Sequence, residues 1–261
     1  LRRPSSPLRW PGGKRKLTEA ILRHFQEHEV YVEVCCGAAA VFWAKSKAES
    51  DVEILNDLDE ELINFYRVLH RQGRRLALEV DAMPYSRRLF SQVRTARPTS
   101  QFRRATRFWY LNRVAFGGRM SGPTFGVQAS RRASVLPVAV LQSLDATIER
   151  LRGVLFEALD FAAIMRRYDR PTTLFYVDPP YADVSQPYAH TLVADDHQRL
   201  ADALDPIRGQ WLLSYNDCPE IRRLYRQFRK KRLTTRYTIG CNSPAAGNSQ
   251  GHELLISNRS L

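Results

Sequence analysis

Apolar and polar positions alternate along this chain in two periods. Short apolar runs bounded by turn residues lie at 31–34, 52–55, 174–177, 211–214, 236–239 and 253–257, and each reads as a strand. Segments 16–28, 41–46, 58–71, 195–204 and 218–229 carry their apolar residues at helical spacing. Strand and helix therefore alternate at both ends of the chain, which predicts an α/β sheet with helices on both faces. From about 72 to 157 the alternation stops. Helical stretches at 102–113 and 138–151 there flank a glycine-rich piece, 116–126, so this region reads as a mainly helical inserted module. The expected division is a core formed by 1–71 and 158–261, with the module at 72–157. One small-residue tract, 242–251, reads as a loop.

A chain of 261 residues is long enough for one sizeable core with a smaller insertion. Its 44% hydrophobic and 26% charged residues exclude a disordered or low-complexity protein. No apolar run reaches the roughly 18 residues of a membrane span. Residues 1–11 lack the basic-then-apolar pattern of a leader, so the expectation is a soluble, intracellular protein. Cys35, Cys36, Cys218 and Cys241 lack the paired spacing of a zinc site, which predicts four free thiols and no metal.

The net charge of +13 is not spread evenly. Residues 67–170 hold 20 basic side chains, all arginine, against 7 acidic ones, while the flanking segments are near neutral. A high-GC coding preference explains arginine over lysine but not this localisation. A nucleic-acid-binding module set into a near-neutral catalytic core would show this distribution.

Three segments carry candidate chemistry. In Leu174-Phe175-Tyr176-Val177-Asp178-Pro179-Pro180-Tyr181 a buried strand runs into an acid, two prolines and an aromatic. Ligands of open α/β sheets bind outside the carboxyl ends of strands. The prolines keep the chain extended, leaving carbonyls to accept alongside Asp178, while Tyr181 offers a ring face; a planar ligand with an amino group suits this set. Prolines that merely end a strand, with Asp178 as a turn cap, are the alternative. Near the start, Arg9-Trp10-Pro11-Gly12-Gly13-Lys14 allows close backbone approach to an anion, a carboxylate rather than an ATP phosphate because the P-loop spacing is absent. An ordinary lead-in to a surface helix has the same pattern. Finally, Glu33-Val34-Cys35-Cys36-Gly37-Ala38-Ala39-Ala40 follows a strand with small residues, and Asp57 ends the next strand about twenty residues later, the spacing of an acid that holds ribose hydroxyls.

In their order and spacing, 9–14, 33–42, 56–66, Leu111-Asn112-Arg113, 178–181, 213–217 and 253–258 resemble the DNA adenine methylase (Dam-type, D12 class) family over nearly the whole chain. The resemblance implies a Rossmann-like class I methyltransferase sheet, S-adenosylmethionine as cofactor, and transfer of its methyl group to the 6-amino group of adenine in double-stranded DNA. It places Trp10, Gly12, Gly13 and Lys14 at the cofactor, with Lys14 near the methionine carboxylate. Glu33, Cys36, Gly37, Ala38 and Ala39 then line the cleft, Asp57 holds the ribose, and Asp160 and Phe161 lie beside the adenine ring. Asp178, Pro179, Pro180 and Tyr181 become the catalytic segment. Arg9, Asn112, Arg113, Arg119, Arg131, Arg132 and Asn242 become candidate DNA contacts within or beside a recognition module that carries a β-hairpin.

Two departures from the family pattern matter. The glycine-rich cofactor turn is mostly alanine here, and the hairpin reads Phe116-Gly117-Gly118-Arg119-Met120-Ser121 where the family commonly has Phe-Asn-Gly-Leu. Base contacts are therefore not carried over, and GATC stands only as the family's default target. The mechanism expected is hydrogen bonding of the adenine amino group by Asp178 and the Pro179 carbonyl, with the base flipped out and stacked on Tyr181. A monomeric, cytoplasmic, nucleoid-associated enzyme of a restriction system or a phage is the matching setting. The competing readings are methylation of cytosine in DNA or of adenine in RNA, a silent DNA-binding protein, and a nucleotide-dependent oxidoreductase. Asp before Pro-Pro-Tyr disfavours cytosine by resemblance, the intact segment disfavours silence, and the lone Gly37 disfavours the last.

Overall fold

The computed structural model describes residues 4–10, 13–127, 134–181, 194–236 and 250–261. Seven strands form one sheet: β1 (Val30–Glu33), β2 (Val52–Asn56), β3 (Leu155–Glu157), β4 (Thr173–Val177), β5 (Gln210–Asn216), β6 (Arg229–Arg236) and β7 (Gln250–Ser257). Their spatial order is β3-β2-β1-β4-β5-β7-β6. β7 runs antiparallel to both its neighbours, and the other ladders are parallel. This is the α/β sheet expected from the alternation, in the Rossmann-like form that the family resemblance implies. The strand order reverses between β1 and β4, where a crevice opens at the carboxyl ends. Every residue of β4 is buried, as a central parallel strand requires.

Ten helices are described. α1 (Thr18–Leu22) and α2 (Ala40–Ala44) are short, and α3 (Glu60–Asp81) is long. α3 starts where the Asp59 carboxylate accepts from the Glu61 and Leu62 amides, and it bends at Gln72, whose backbone is not helical. Then come α4 (Arg87–Thr95), α5 (Gln101–Val114), α6 (Val138–Gln142), α7 (Leu144–Arg150), α8 (Phe161–Tyr168), α9 (Ala194–Leu204) and α10 (Pro219–Leu224). Ser86, Ser100 and Asp160 cap α4, α5 and α8 with their side chains. The hairpin expected after α5 is a tight loop closed by the antiparallel bridge between Ala115 and Phe125.

Two apolar cores sandwich the sheet. One joins Tyr31, Leu55, Leu174 and Leu212 to Leu62, Phe65, Leu76, Phe90, Phe108 and Trp109. The other joins Val32, Phe175 and Leu213 to Phe161, Met165, Leu200 and Ile221. Residues 72–157 therefore share the first core with the sheet. A buried ionic cluster reinforces that junction: Glu53 of β2 accepts from Lys45 (3.0 Å) and from both Arg150 terminal nitrogens (2.5 and 2.8 Å). Arg150, at the end of α7, also donates to the Phe42 carbonyl and lies 3.8 Å over its ring.

Several expected bounds are corrected. The strand expected at 236–239 lies, beyond Arg236, outside the described residues, and the helix expected at 218–229 gives way after Leu224 to β6. β6 reads Arg-Lys-Lys-Arg-Leu-Thr-Thr-Arg, an edge strand whose charges hide its period. The helix expected at 16–28 is a 3-10 turn, Lys14–Lys16, followed by α1 alone. β3, α4 and α8 were not expected. Cys35, Cys36 and Cys218 are free thiols, and Cys241 lies outside the described residues. Among the described residues no helix is long and apolar enough to cross a membrane, and no cluster of metal-binding side chains occurs.

Candidate active site

A cavity of about 320 Å³ lies at the carboxyl ends of β4, β1, β2 and β3, within the size range of ligand pockets. Its floor is the turn after β1. Gly37 has φ +48°, and a Cβ there would come 2.7 Å from the Trp10 indole nitrogen, so the turn closes under Trp10 only without a side chain. Its amide donates to Asp57 Oδ2 at 2.9 Å and its carbonyl accepts from the Tyr66 hydroxyl at 2.9 Å. Ala39, also left-handed with φ +54°, turns the chain into α2.

Asn56, buried at the end of β2, aligns three strand ends at once. Its amide nitrogen donates to the Val34 and Leu159 carbonyls, and its oxygen accepts from the Leu159 amide. That stitch fixes Asp57 and Asp160 along one wall. Asp57 Oδ1 accepts from the Asp59 amide, which sets its carboxylate at the rim.

At the β4 end, Asp178 meets Lys14. The ammonium lies 2.7 Å from Oδ1 and 2.9 Å from Oδ2. It also approaches Glu253 of β7 at 3.8 Å and sits 4.7 Å from the Tyr181 ring centroid. Tyr181 stacks on Tyr215 at 5.5 Å. Burial pushes the Asp178 pKa up to about 6, Lys14 pulls against that, and Glu253 adds to the rise. Lys14 is itself only 5% exposed, and a buried ammonium takes the nearest carboxylates. Lys14 lines the cavity and is bound there to Asp178.

The remaining expected residues divide clearly. Trp10, Gly13, Cys36, Gly37, Ala38, Ala39, Asp57, Asp160, Phe161, Asp178 and Pro180 line the cavity, and Pro179 is buried behind it. Glu33 also borders the cavity, but its Oε2 accepts from the Tyr31 hydroxyl and the Phe42 amide, tying β1 to α2. Burial pushes its pKa to about 8, against those hydrogen bonds. Gly12, Arg131, Arg132 and Asn242 lie outside the described residues.

Asn112 is a correction. Its side chain, expected to face DNA, is fully buried and bonds the Arg9 amide (2.9 Å), the Arg9 carbonyl (2.7 Å) and the Gly118 carbonyl (3.4 Å). It clamps the N-terminal segment onto the hairpin, where a Cβ on Gly118 would come 2.6 Å from the Arg9 carbonyl oxygen. Arg9 reaches the Arg113 carbonyl, and burial with the neighbouring Arg9 charge lowers Arg113 to a pKa of about 10. Arg119 and Phe116 are exposed on the hairpin.

Sequence reasoning missed Leu58, Met120, Asp196 and Arg199, all of which line the cavity, and Glu253 beneath it. Met120 follows the hairpin arginine, so the hairpin borders the same cavity. Leu58, Met120 and Glu253 lie within segments that the sequence singled out, but no local motif marks Asp196 or Arg199.

A DNA adenine methylase of Vibrio cholerae serotype O1 is 29% identical over 267 aligned residues, covering 95% of this chain and 94% of the relative. A DNA N-6-adenine-methyltransferase of Escherichia phage P1 is 27% identical, covering 96% of this chain and 35% of the relative. Among solved structures, an S-adenosylmethionine-dependent O-methyltransferase of Thermotoga maritima aligns with a TM-score of 0.41 at 9% identity, covering 97% of this chain and 67% of that one. The sequence model of the D12 class N6 adenine-specific DNA methyltransferases matches residues 10–239, and the chain belongs to that family.

Proposed function

We propose that Asp178 is the group at which this N6 adenine-specific DNA methyltransferase transfers its methyl group, to an adenine flipped out of the duplex, with residues 72–157 reading the DNA. The cofactor is S-adenosylmethionine, which when bound supplies a methyl group on a positively charged sulfur. The residues present fit it. The turn at Gly37, closed under Trp10, and the small side chains of Ala38 and Ala39 line the cavity, and the acids Asp57 and Asp160 offer acceptors in sequence along one wall. These residues, with Trp10, Ala38 and Phe161, would hold it.

An aromatic amine is a weak nucleophile because its lone pair is delocalised into the ring. Asp178 and the Pro179 carbonyl counter this by accepting the amino protons, which favours the pyramidal nitrogen and offsets its developing charge. Each carboxylate oxygen has two lone pairs, so Asp178 can keep Lys14 and still accept from adenine. Lys14 keeps Asp178 ionised, and Tyr181, backed by Tyr215, offers the stacking surface. The observation that carries this reading is Asp178 itself, a partly buried carboxylate held by Lys14 at the end of the central strand, on the cavity wall. Exposed arginines of the hairpin and of α4 and α5 supply phosphate contacts, and the enzyme acts as a monomer.

Labelled methyl transfer to unmethylated genomic DNA, followed by digestion to nucleosides, should yield 6-methyladenine. Asp178→Ala should lower that rate by at least about 100-fold while DNA binding persists. Near-normal turnover in this variant would refute the assignment, and labelled 4-methylcytosine would overturn the substrate base.

A further inference from the structure

From β4 outward the cavity passes Asp178, then the Gly37 turn, then Asp57 at the ribose position, and ends at Asp160 and Phe161 beyond β3. A dinucleotide-type ligand whose ribose lies at the β2 acid has its base at this far end. Arg199 of α9 closes that end. Its Nη1 bridges both oxygens of Asp160 (3.0 and 2.9 Å), while Nε and Nη2 bond Asp196 Oδ1 (3.2 and 3.0 Å). The guanidinium is 4.1 Å from the Phe161 ring centroid. It is thus anchored on two carboxylates and one aromatic ring, an ordered plate beside the cavity although it is half exposed.

Asp160 is fixed just as firmly. Oδ1 also accepts from the Ala162 amide as the cap of α8, so the carboxylate cannot rotate without breaking either the cap or the Arg199 contact. A carboxylate beside an arginine is an acceptor only. A base carrying an amino group at its edge donates to it, whereas a base carrying a carbonyl there meets oxygen against oxygen.

We propose that Arg199 is the positioning residue for base selection in the cofactor site: by fixing Asp160 as an aimed acceptor and walling the base plane, it makes the site prefer a 6-amino over a 6-oxo purine. The inference rests on reading this cleft as the S-adenosylmethionine site. The ion pair is half exposed, so its loss should leave the fold intact.

The test is calorimetric binding of S-adenosylhomocysteine and of its 6-oxo counterpart, S-inosylhomocysteine, to the full chain and to Arg199→Ala and Arg199→Lys. The unaltered protein should prefer the 6-amino ligand by about 10- to 100-fold, the range of a hydrogen bond to a charged group. Arg199→Ala should bring that ratio below about threefold with an unchanged melting temperature, and Arg199→Lys should restore part of it. Equal weakening of both ligands in Arg199→Ala, or no preference in the unaltered protein, overturns the inference while leaving the cleft assignment standing. Failure of the unaltered protein to bind either ligand overturns the cleft assignment itself.

Discussion

Replacing Lys14 by Met removes the cation 2.7 Å from Asp178 while nearly conserving length and burial. An opposite charge at this distance typically lowers a carboxylate by about 1–3 pH units, or about 1.4–4 kcal/mol. Asp178, at about 6 with Lys14 present, should therefore titrate about 1–3 units higher without it. The ionised carboxylate is the stronger acceptor and the form that offsets the positive charge developing on the amine, so activity is present above this pKa and falls as pH drops through it. The acidic limb of kcat/KM for DNA, at saturating cofactor, should lie near pH 6 in the unaltered enzyme and move upward in the variant. For a shift of two units, about nine tenths of the enzyme is ionised at pH 7 with Lys14 and about one tenth without it. Glu253 acts with the opposite sign, raising Asp178, so Glu253→Gln should move the limb down. Initial rates of labelled methyl transfer from pH 5 to 9.5 provide the measurement. A limb that stays in place in both variants, or moves down in Lys14→Met, would show that the ion pair does not govern the reactive carboxylate.

Two further perturbations have defined outcomes. Gly37→Ala forces a side chain into a left-handed turn and against the Trp10 indole, at about 1–2 kcal/mol for the backbone alone, so S-adenosylhomocysteine affinity should fall at least about tenfold; an unchanged Kd by calorimetry counts against the turn as the cofactor floor. Arg150→Met leaves Glu53 buried with only Lys45, which should destabilise the fold by about 3–5 kcal/mol; a melting temperature within about 2 °C of the unaltered protein would show that the cluster does not hold α7 to the sheet.

The parts of this molecule legible in the sequence were those that local pattern determines. β1, β2, β4, β5 and β7 are apolar runs because both their faces or their core face must be dry. Asp57 and Asp178 could be identified because each follows such a run directly, and strand ends are where this sheet binds ligands. β3 escaped notice because it has three residues and Leu155 is 45% exposed. α4 escaped because Phe90 is its single buried side chain. Arg199 was invisible for another reason: its role depends on meeting Asp160, 39 residues earlier in the chain, which only the packing of α8 against α9 brings about. Asn112 shows the reverse case. Its residue type suited DNA, but spacing does not reveal whether a polar side chain faces solvent or satisfies a buried neighbour.

The shared apolar core beneath residues 72–157 bears on how such an enzyme could change its target. Because α3 and α5 pack on the same side chains that support the sheet, exchanging the whole segment with that of a relative would replace half of a jigsaw and leave cavities or clashes under the cofactor cleft. In the tip between Ala115 and Phe125, Gly118 packs on Arg9 and Met120 borders the cavity, but the side chains of Phe116 and Arg119 are exposed and carry no such obligation. Retargeting by substitution at those exposed positions should therefore be structurally cheap, whereas chimeras joined at 72 and 157 should be insoluble unless the sheet-facing residues travel with them.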